Sequence, residues 1–200
     1  MERPIFQPVG TPVEELDTPA LVLDLDVMDK NIQTFQGYFA ARTAKARPVV
    51  TSHLCPQIAH RQLDAGGTVG GIAVTTLGEA EVFANSGFDD ILLANQVVTV
   101  SKIRRLCALA AQASIGIAVD NLDNAQQLSS GAVAAGVELQ VLVEIDAGMG
   151  RCGISPGVEA LKLTQRVDGL PGLKLVGIMG SVPGPKGGDD PSEHESQTKA

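Results

Sequence analysis

Short apolar runs rich in Val, Ile and Leu alternate with amphipathic stretches along this chain, and that alternation constrains the fold more than any other feature. The runs fall at residues 20–25, 48–52, 71–75, 91–94, 115–119, 141–146 and 175–180. Between them, residues 28–41, 56–65, 77–86, 101–112, 122–135 and 157–167 carry apolar positions at helical spacing. A short strand, a helix and another short strand in succession is the pattern of βαβ units, which predicts parallel strands in one α/β sheet with helices packed on it. Ser101 and Asp123 are expected helix N-caps, and Gly66, Gly87 and Gly136 are expected stops. Aromatic residues make up only 3% of the chain and Trp is absent, so the core must be built from the branched aliphatics that fill parallel sheets.

Charge narrows the partners. A net charge of −8 with no cluster of Lys and Arg gives a phosphodiester backbone nothing to bind, so no nucleic-acid partner is expected. No apolar run reaches the roughly 18 residues of a membrane span, so no membrane is expected. The first twenty residues lack the apolar segment of a secretory signal. Cys55, Cys107 and Cys152 are widely spaced with no CxxC pair, which reads as reduced thiols in a cytoplasmic protein. Residues 182–191, VPGPKGGDDP, read as a loop, and the following PSEHESQTKA reads as the first turns of a helix. Isolated helices that short are marginal, so the chain is expected to be a fragment of a longer protein.

Three segments, LDTPALVLDLDVMDKNI, GEAEVFANSGFDDILLANQVV and VLVEIDAGMGRCGISPG, carry a family resemblance running from about Leu16 to the end. They resemble the fold-type III pyridoxal-phosphate enzymes of the D-threonine aldolase, D-serine dehydratase and alanine racemase N-terminal-domain group. The resemblance implies a (β/α)8 TIM-type barrel of the alanine racemase N-terminal type, incomplete at about six barrel strands. Residues 1–26 would be an N-terminal extension and strand, and residues 47–200 the barrel units. The C-terminal β-domain of relatives, which holds the aldolases' metal ligands, is absent, and no metal site is expected. The resemblance also implies pyridoxal phosphate as cofactor, a D-amino acid or β-hydroxy amino acid as substrate, and association with a second copy.

Barrel active sites lie at the C-terminal ends of the strands. There the resemblance assigns Arg151, in Gly148-Met149-Gly150-Arg151-Cys152-Gly153, to the cofactor's ring side. The residues alone also allow a surface arginine paired with Glu144 or Asp146. Arg47-Pro48-Val49-Val50-Thr51-Ser52-His53-Leu54-Cys55-Pro56 resembles the family's R-P-x-x-K-[ST]-H-K-x-P. The lysine that forms the Schiff base in relatives is Thr51 here, and the second lysine is Leu54. A threonine hydroxyl cannot form an imine. Lys45 should lie at the opposite face, and Lys30, Lys102, Lys162 and Lys174 fall in or around helices or at strand entrances. Lys186 is on the right side, but its Pro/Gly loop gives no desolvation to lower its pKa.

Ser181 and Val182 stand where relatives place a ring-side Tyr and its polar partner, and the phosphate loops usual after the seventh and eighth strands are missing. His53 sits at a strand end with no visible carboxylate partner, where a histidine is more often structural than catalytic. Asn95, Gln96, Asp120 and Asn121 lie at strand exits, as ligand contacts or as helix caps. Cys55 and Cys152 lie near exits without an adjacent base, and His60 and His194 have weaker claims still.

Three functions follow. The first is a truncated, catalytically impaired homologue of the pyridoxal-phosphate lyases that act on D-amino and β-hydroxy amino acids, binding a small ligand or another chain. The second is a lyase or racemase that is active when completed by missing segments. The third is an unrelated barrel chemistry using His53, Asp146 and Arg151, since fold alone does not set a reaction. Thr51, Ser181 and the missing strands favour the first.

Overall fold

The structure is a computed structural model that describes residues 7–182. The loop after residue 182, the helix start after it, Lys186 and His194 lie outside the described residues. Six helices, α1 (Leu25–Ala40), α2 (Pro56–Asp64), α3 (Leu77–Ala84), α4 (Val100–Ala110), α5 (Leu122–Ala135) and α6 (Val158–Asp168), accompany a five-stranded sheet. Its strands are β1 (Ile72–Val74), β2 (Asp90–Leu93), β3 (Ser114–Val119), β4 (Leu139–Ile145) and β5 (Leu173–Gly180). They pair in sequence order, all parallel, so each crossover carries one helix as the alternation predicts.

The sheet is unclosed, an α/β fold of the incomplete TIM-barrel kind. The run at 48–52 makes no laddered strand; Ala46 bridges to Thr68 and Val49 to Ala73, after which Val50–Ser52 turns into a 3-10 helix. Five laddered strands and one bridged segment therefore stand where about six strands were expected. Residues 20–25 form no strand either, because an apolar run becomes one only with a neighbour to pair with. Leu21 and Val22 stay exposed, and Asp24 instead caps α1, its side chain accepting from the Val27 amide at 3.0 Å.

Local chemistry sets the helix ends. Asn121, not Asp123, caps α5 by accepting from the Asn124 amide at 2.8 Å, and the left-handed Gly136 ends that helix. α4 begins after Thr99, which leaves Ser101 inside the helix rather than at its cap. Thr76 and Glu79 form a reciprocal capping box on α3.

The two faces of the sheet differ. Ile72, Val74, Ile91, Leu93, Ile115, Ile117, Val119, Val141 and Val143 are almost wholly buried on one face. They pack with Phe83, Leu106, Leu128 and Val167 from the helices in one continuous core. By strand alternation, Ala73, Leu92, Gly116, Leu142 and Glu144 line the other face, which is the interior of a barrel. At the strand entrances that face is polar: Arg47 forms a two-point ion pair with Asp90 at 2.9 and 3.1 Å, and the Gln140 amide donates to the Ser114 hydroxyl at 2.7 Å. β5 is an edge, with Val176 and Ile178 exposed.

Candidate functional site at the strand exits

Because every strand runs the same way, the exits after β1 to β5 gather on one rim. Val49 bridges to Ala73, and this brings Thr51 beside Thr75. The Thr51 hydroxyl donates to a Glu79 carboxylate oxygen at 2.8 Å, which the Thr75 amide also reaches at 2.9 Å. Burial alone would raise the pKa of Glu79. Hydrogen bonds from the Thr75 amide, the Thr51 hydroxyl, the Thr76 amide and the Thr75 hydroxyl outweigh burial and hold it below the ordinary carboxylate value. Thr51 thus sits in a small polar knot around an ionised carboxylate. Glu79 was not singled out from the sequence, although the Thr-x-x-Glu spacing of a capping box was there to be read.

His53 is engaged at both ring nitrogens. Its Nδ1 accepts from the Cys55 amide at 3.0 Å, so the proton is on Nε2, which donates to the Gln62 side-chain oxygen at 3.2 Å. These two bonds pin the turn between the 3-10 helix and α2. Cys55 bonds Gln57, Cys107 is buried in α4, and all three cysteines are free thiols.

The loop after β4 is held from both flanks. Asp146 Oδ1 accepts from the Gly148 and Gly150 amides, each at 3.0 Å, and these two bonds, with the Gly150 one stronger, hold its pKa down. Asp120, at the exit of β3, accepts from the Gly153 amide at 3.2 Å. Ile154 then returns to bridge Ile145. Gly153 is required here, since a Cβ would lie 2.5 Å from the Asp146 nitrogen and φ is +97°. Arg151 projects from the tip, exposed, and among the described residues it joins no ion pair. Glu144 and Asp146, its alternative partners, are occupied otherwise: buried Glu144 accepts from Gln96, and Asp146 serves the loop amides. Asn95 donates to the Thr75 carbonyl at 3.1 Å, which ties the β1 and β2 exits together. Ser181 follows β5 on the same rim, half-buried.

The described residues hold no cluster of three or more His, Cys, Asp or Glu with metal-ligating arrangement, and none of their helices is long and apolar enough to cross a membrane. Residues 23–198 match the family model for the alanine racemase N-terminal domain. The chain belongs to this family. It is 40% identical over 175 residues to the D-threonine aldolase of an Arthrobacter species, covering 88% of this chain and 45% of that one. It is 33% identical over 188 residues to the 3-hydroxy-D-aspartate aldolase of Paracoccus denitrificans, covering 89% and 48%. The crystal structure of the D-threonine aldolase from Filomicrobium marinum superposes with a TM-score of 0.80 at 39% identity, over 83% of this chain and 44% of that one. The chain therefore spans about half the length of the relatives it matches.

These fold-type III enzymes use pyridoxal phosphate, and the residues on this rim do not fit its covalent attachment. Lys45 donates to the Phe39 and Ala40 carbonyls at the end of α1, and Lys162 pairs with Glu159 on α6. Lys30 lies on α1, Lys102 on α4, and Lys174 near the entrance of β5. Lys102 lines a pocket beside the β1 and β2 exits with Thr75, Asn95 and Gln96, but none of these lysines stands at the motif position, where Thr51 is committed to Glu79.

Proposed function

We propose that this chain is a family member that does not form the internal Schiff base and is catalytically impaired. Its barrel mouth then serves to bind rather than to transform a small ligand. The observation that carries the reading is Thr51 at the lysine position, bonded to the Glu79 carboxylate. An electrophilic carbonyl needs a neutral amine, and a threonine hydroxyl supplies none. The relatives act on D-amino acids bearing a β-hydroxyl, so that is the ligand class proposed. Arg151 supports the reading as an exposed side chain that joins no ion pair among the described residues, and Ser181 follows β5 at its exit. Free thiols and the acidic net charge suit a cytoplasmic protein without a nucleic-acid partner.

The test is direct. The chain is incubated with pyridoxal phosphate, reduced with borohydride and mapped by peptide mass. The expected result is no adduct at a unique residue. A single stoichiometric adduct, at Lys186 or elsewhere, overturns the reading. A second reading, a lyase active when completed by further segments, draws on the Gly148–Gly153 loop, whose hydrogen bonds present Arg151 at the rim. Formation of glycine plus aldehyde from D-threonine by the chain mixed with such segments would favour it.

A further inference from the structure

Glu144 is a carboxylate that the packing leaves without a cation. It is 4% exposed, and among the described residues no Lys, Arg or His forms an ion pair with it. Its one side-chain hydrogen bond there comes from the neutral Gln96 amide, which donates to Oε2, and Oε1 accepts none. Strand register sets what surrounds it on the barrel-interior face. Glu144 pairs with Met179 of β5, and Leu142 precedes it on the same face of β4. On the other side Val143 pairs with Val119, which puts Asp120 level with Glu144. Both Asp120 oxygens are taken, by the Asn121 side-chain amide and the Gly153 backbone amide. Asp146, the other acid of this exit, is served by the Gly148 and Gly150 amides. Glu144 alone is left short. A carboxylate taken out of water is costly unless a cation or several donors meet it, and one neutral amide is too little.

We propose that Glu144 receives the ammonium group of the ligand in the barrel mouth, with Gln96 positioning its carboxylate. The proposal rests on the reading that the mouth binds a D-amino acid without an imine. A Schiff-base lysine gives way to the substrate amine and so consumes it. With Thr51 in that place the ligand's amine stays free, and near neutral pH it is an ammonium. An ammonium offers three donors and no acceptor, so it must meet oxygens, best of all a charged one. Oε1 of Glu144 is such an oxygen, on the interior face at the strand exits where barrel ligands bind. The contact is charge-assisted and lies in a desolvated place, where it is stronger than on an open surface.

The experiment is an NMR titration of the whole chain at constant ionic strength with three probes. They are D-threonine, 3-hydroxybutanoate, which is the same skeleton without the amine, and ethylammonium, which keeps the amine without the carboxylate. The unaltered chain is expected to bind D-threonine at least about tenfold more tightly than 3-hydroxybutanoate, the loss of one charge-assisted contact. Glu144→Gln should weaken D-threonine by about tenfold and leave 3-hydroxybutanoate unchanged, whereas Glu144→Asp should keep the preference. Without ligand, Glu144→Gln should raise the urea midpoint, because it removes a buried unpaired charge. A lower midpoint would mark the carboxylate as structural and overturn the proposal. Equal affinities for D-threonine and 3-hydroxybutanoate, or a preference that survives Glu144→Gln, also overturn it and leave intact the reading of the mouth as a ligand site. If neither of these two probes binds, that reading fails and ethylammonium decides the role of Glu144. It should still bind the unaltered chain and not Glu144→Gln, and no difference between the two overturns the proposal.

Discussion

Restoring the lysine by Thr51→Lys would place an ammonium next to the one ionised group that already occupies this corner of the rim. The Thr51 hydroxyl lies 2.8 Å from Glu79, so a lysine side chain reaches that carboxylate easily. Two unit charges about 4 Å apart interact by about 4 kcal/mol at an effective dielectric of about 20 and by about 1 kcal/mol in water. Both residues are only half-buried, so screening puts the value near the lower end, about 1–2 kcal/mol, or about one pKa unit. The introduced ammonium is therefore expected to titrate about one unit above an ordinary lysine and to be slow to attack a carbonyl. Glu79→Gln removes the charge and keeps the capping box, because glutamine serves there as well as glutamate. At a fixed pH near neutrality, Thr51→Lys/Glu79→Gln should form the imine with pyridoxal phosphate about tenfold faster than Thr51→Lys alone. The assay is the imine absorbance against time, with the borohydride-fixed adduct mapped to position 51. Equal rates across the pH range would show that Glu79 does not control that position. Under the proposed reading, in which Ser181 stands in place of the ring-side aromatic, neither variant should turn over D-threonine or D-serine; measurable aldehyde or pyruvate would refute that part.

Other outcomes follow from the same geometry. Glu79 and Asp146 have folded pKa values below their unfolded ones, so the stability they confer is complete above the unfolded values. It is lost as pH falls through the folded ones. Urea midpoints should decline below about pH 4.5, and Glu79→Gln should flatten that decline. Gly153→Ala should cost roughly 1–3 kcal/mol in urea unfolding through its positive φ and the clash with Asp146. Asn121→Ala should cost about 1 kcal/mol by removing the cap of α5. Leu128→Ala in the core should cost about 2–5 kcal/mol, against less than about 0.5 kcal/mol for Val100→Ala at the exposed start of α4.

The sequence made the layered architecture legible because four of the five strands are short branched-aliphatic runs bounded by capped helices, and these local signals agree with one another. It misled at 20–25 and 48–52 for one reason: both runs have strand composition, and pairing is a property of neighbours. Residues 20–25 have none, and 48–52 has only β1, three residues long. On the rim, Thr51 could be placed by its motif, but its tie to Glu79 crosses 28 positions and could not be read from either residue. The two partners of His53, Cys55 and Gln62, lie within nine residues of it, yet neither contact could be read from the strand-end position alone. The sequence offered Asp120 as a ligand contact or helix cap and Asp146 as a partner of Arg151, whereas both hold the loop that carries Arg151 through its backbone amides.

The parallel sheet carries its buried aliphatics along the strands and its polar side chains beyond their ends, with Thr51 in a turn outside any ladder. Val50 of that turn belongs to the core, whereas the Thr51 side chain faces Glu79 at the rim and takes no part in the aliphatic packing. A replacement at position 51 therefore acts on the Glu79 carboxylate at the rim and leaves the aliphatic packing between sheet and helices in place. Purifying pressure on the exits and on the core is therefore separable. Thermal shift reads the core, so a chemical readout at the rim is what reports on position 51.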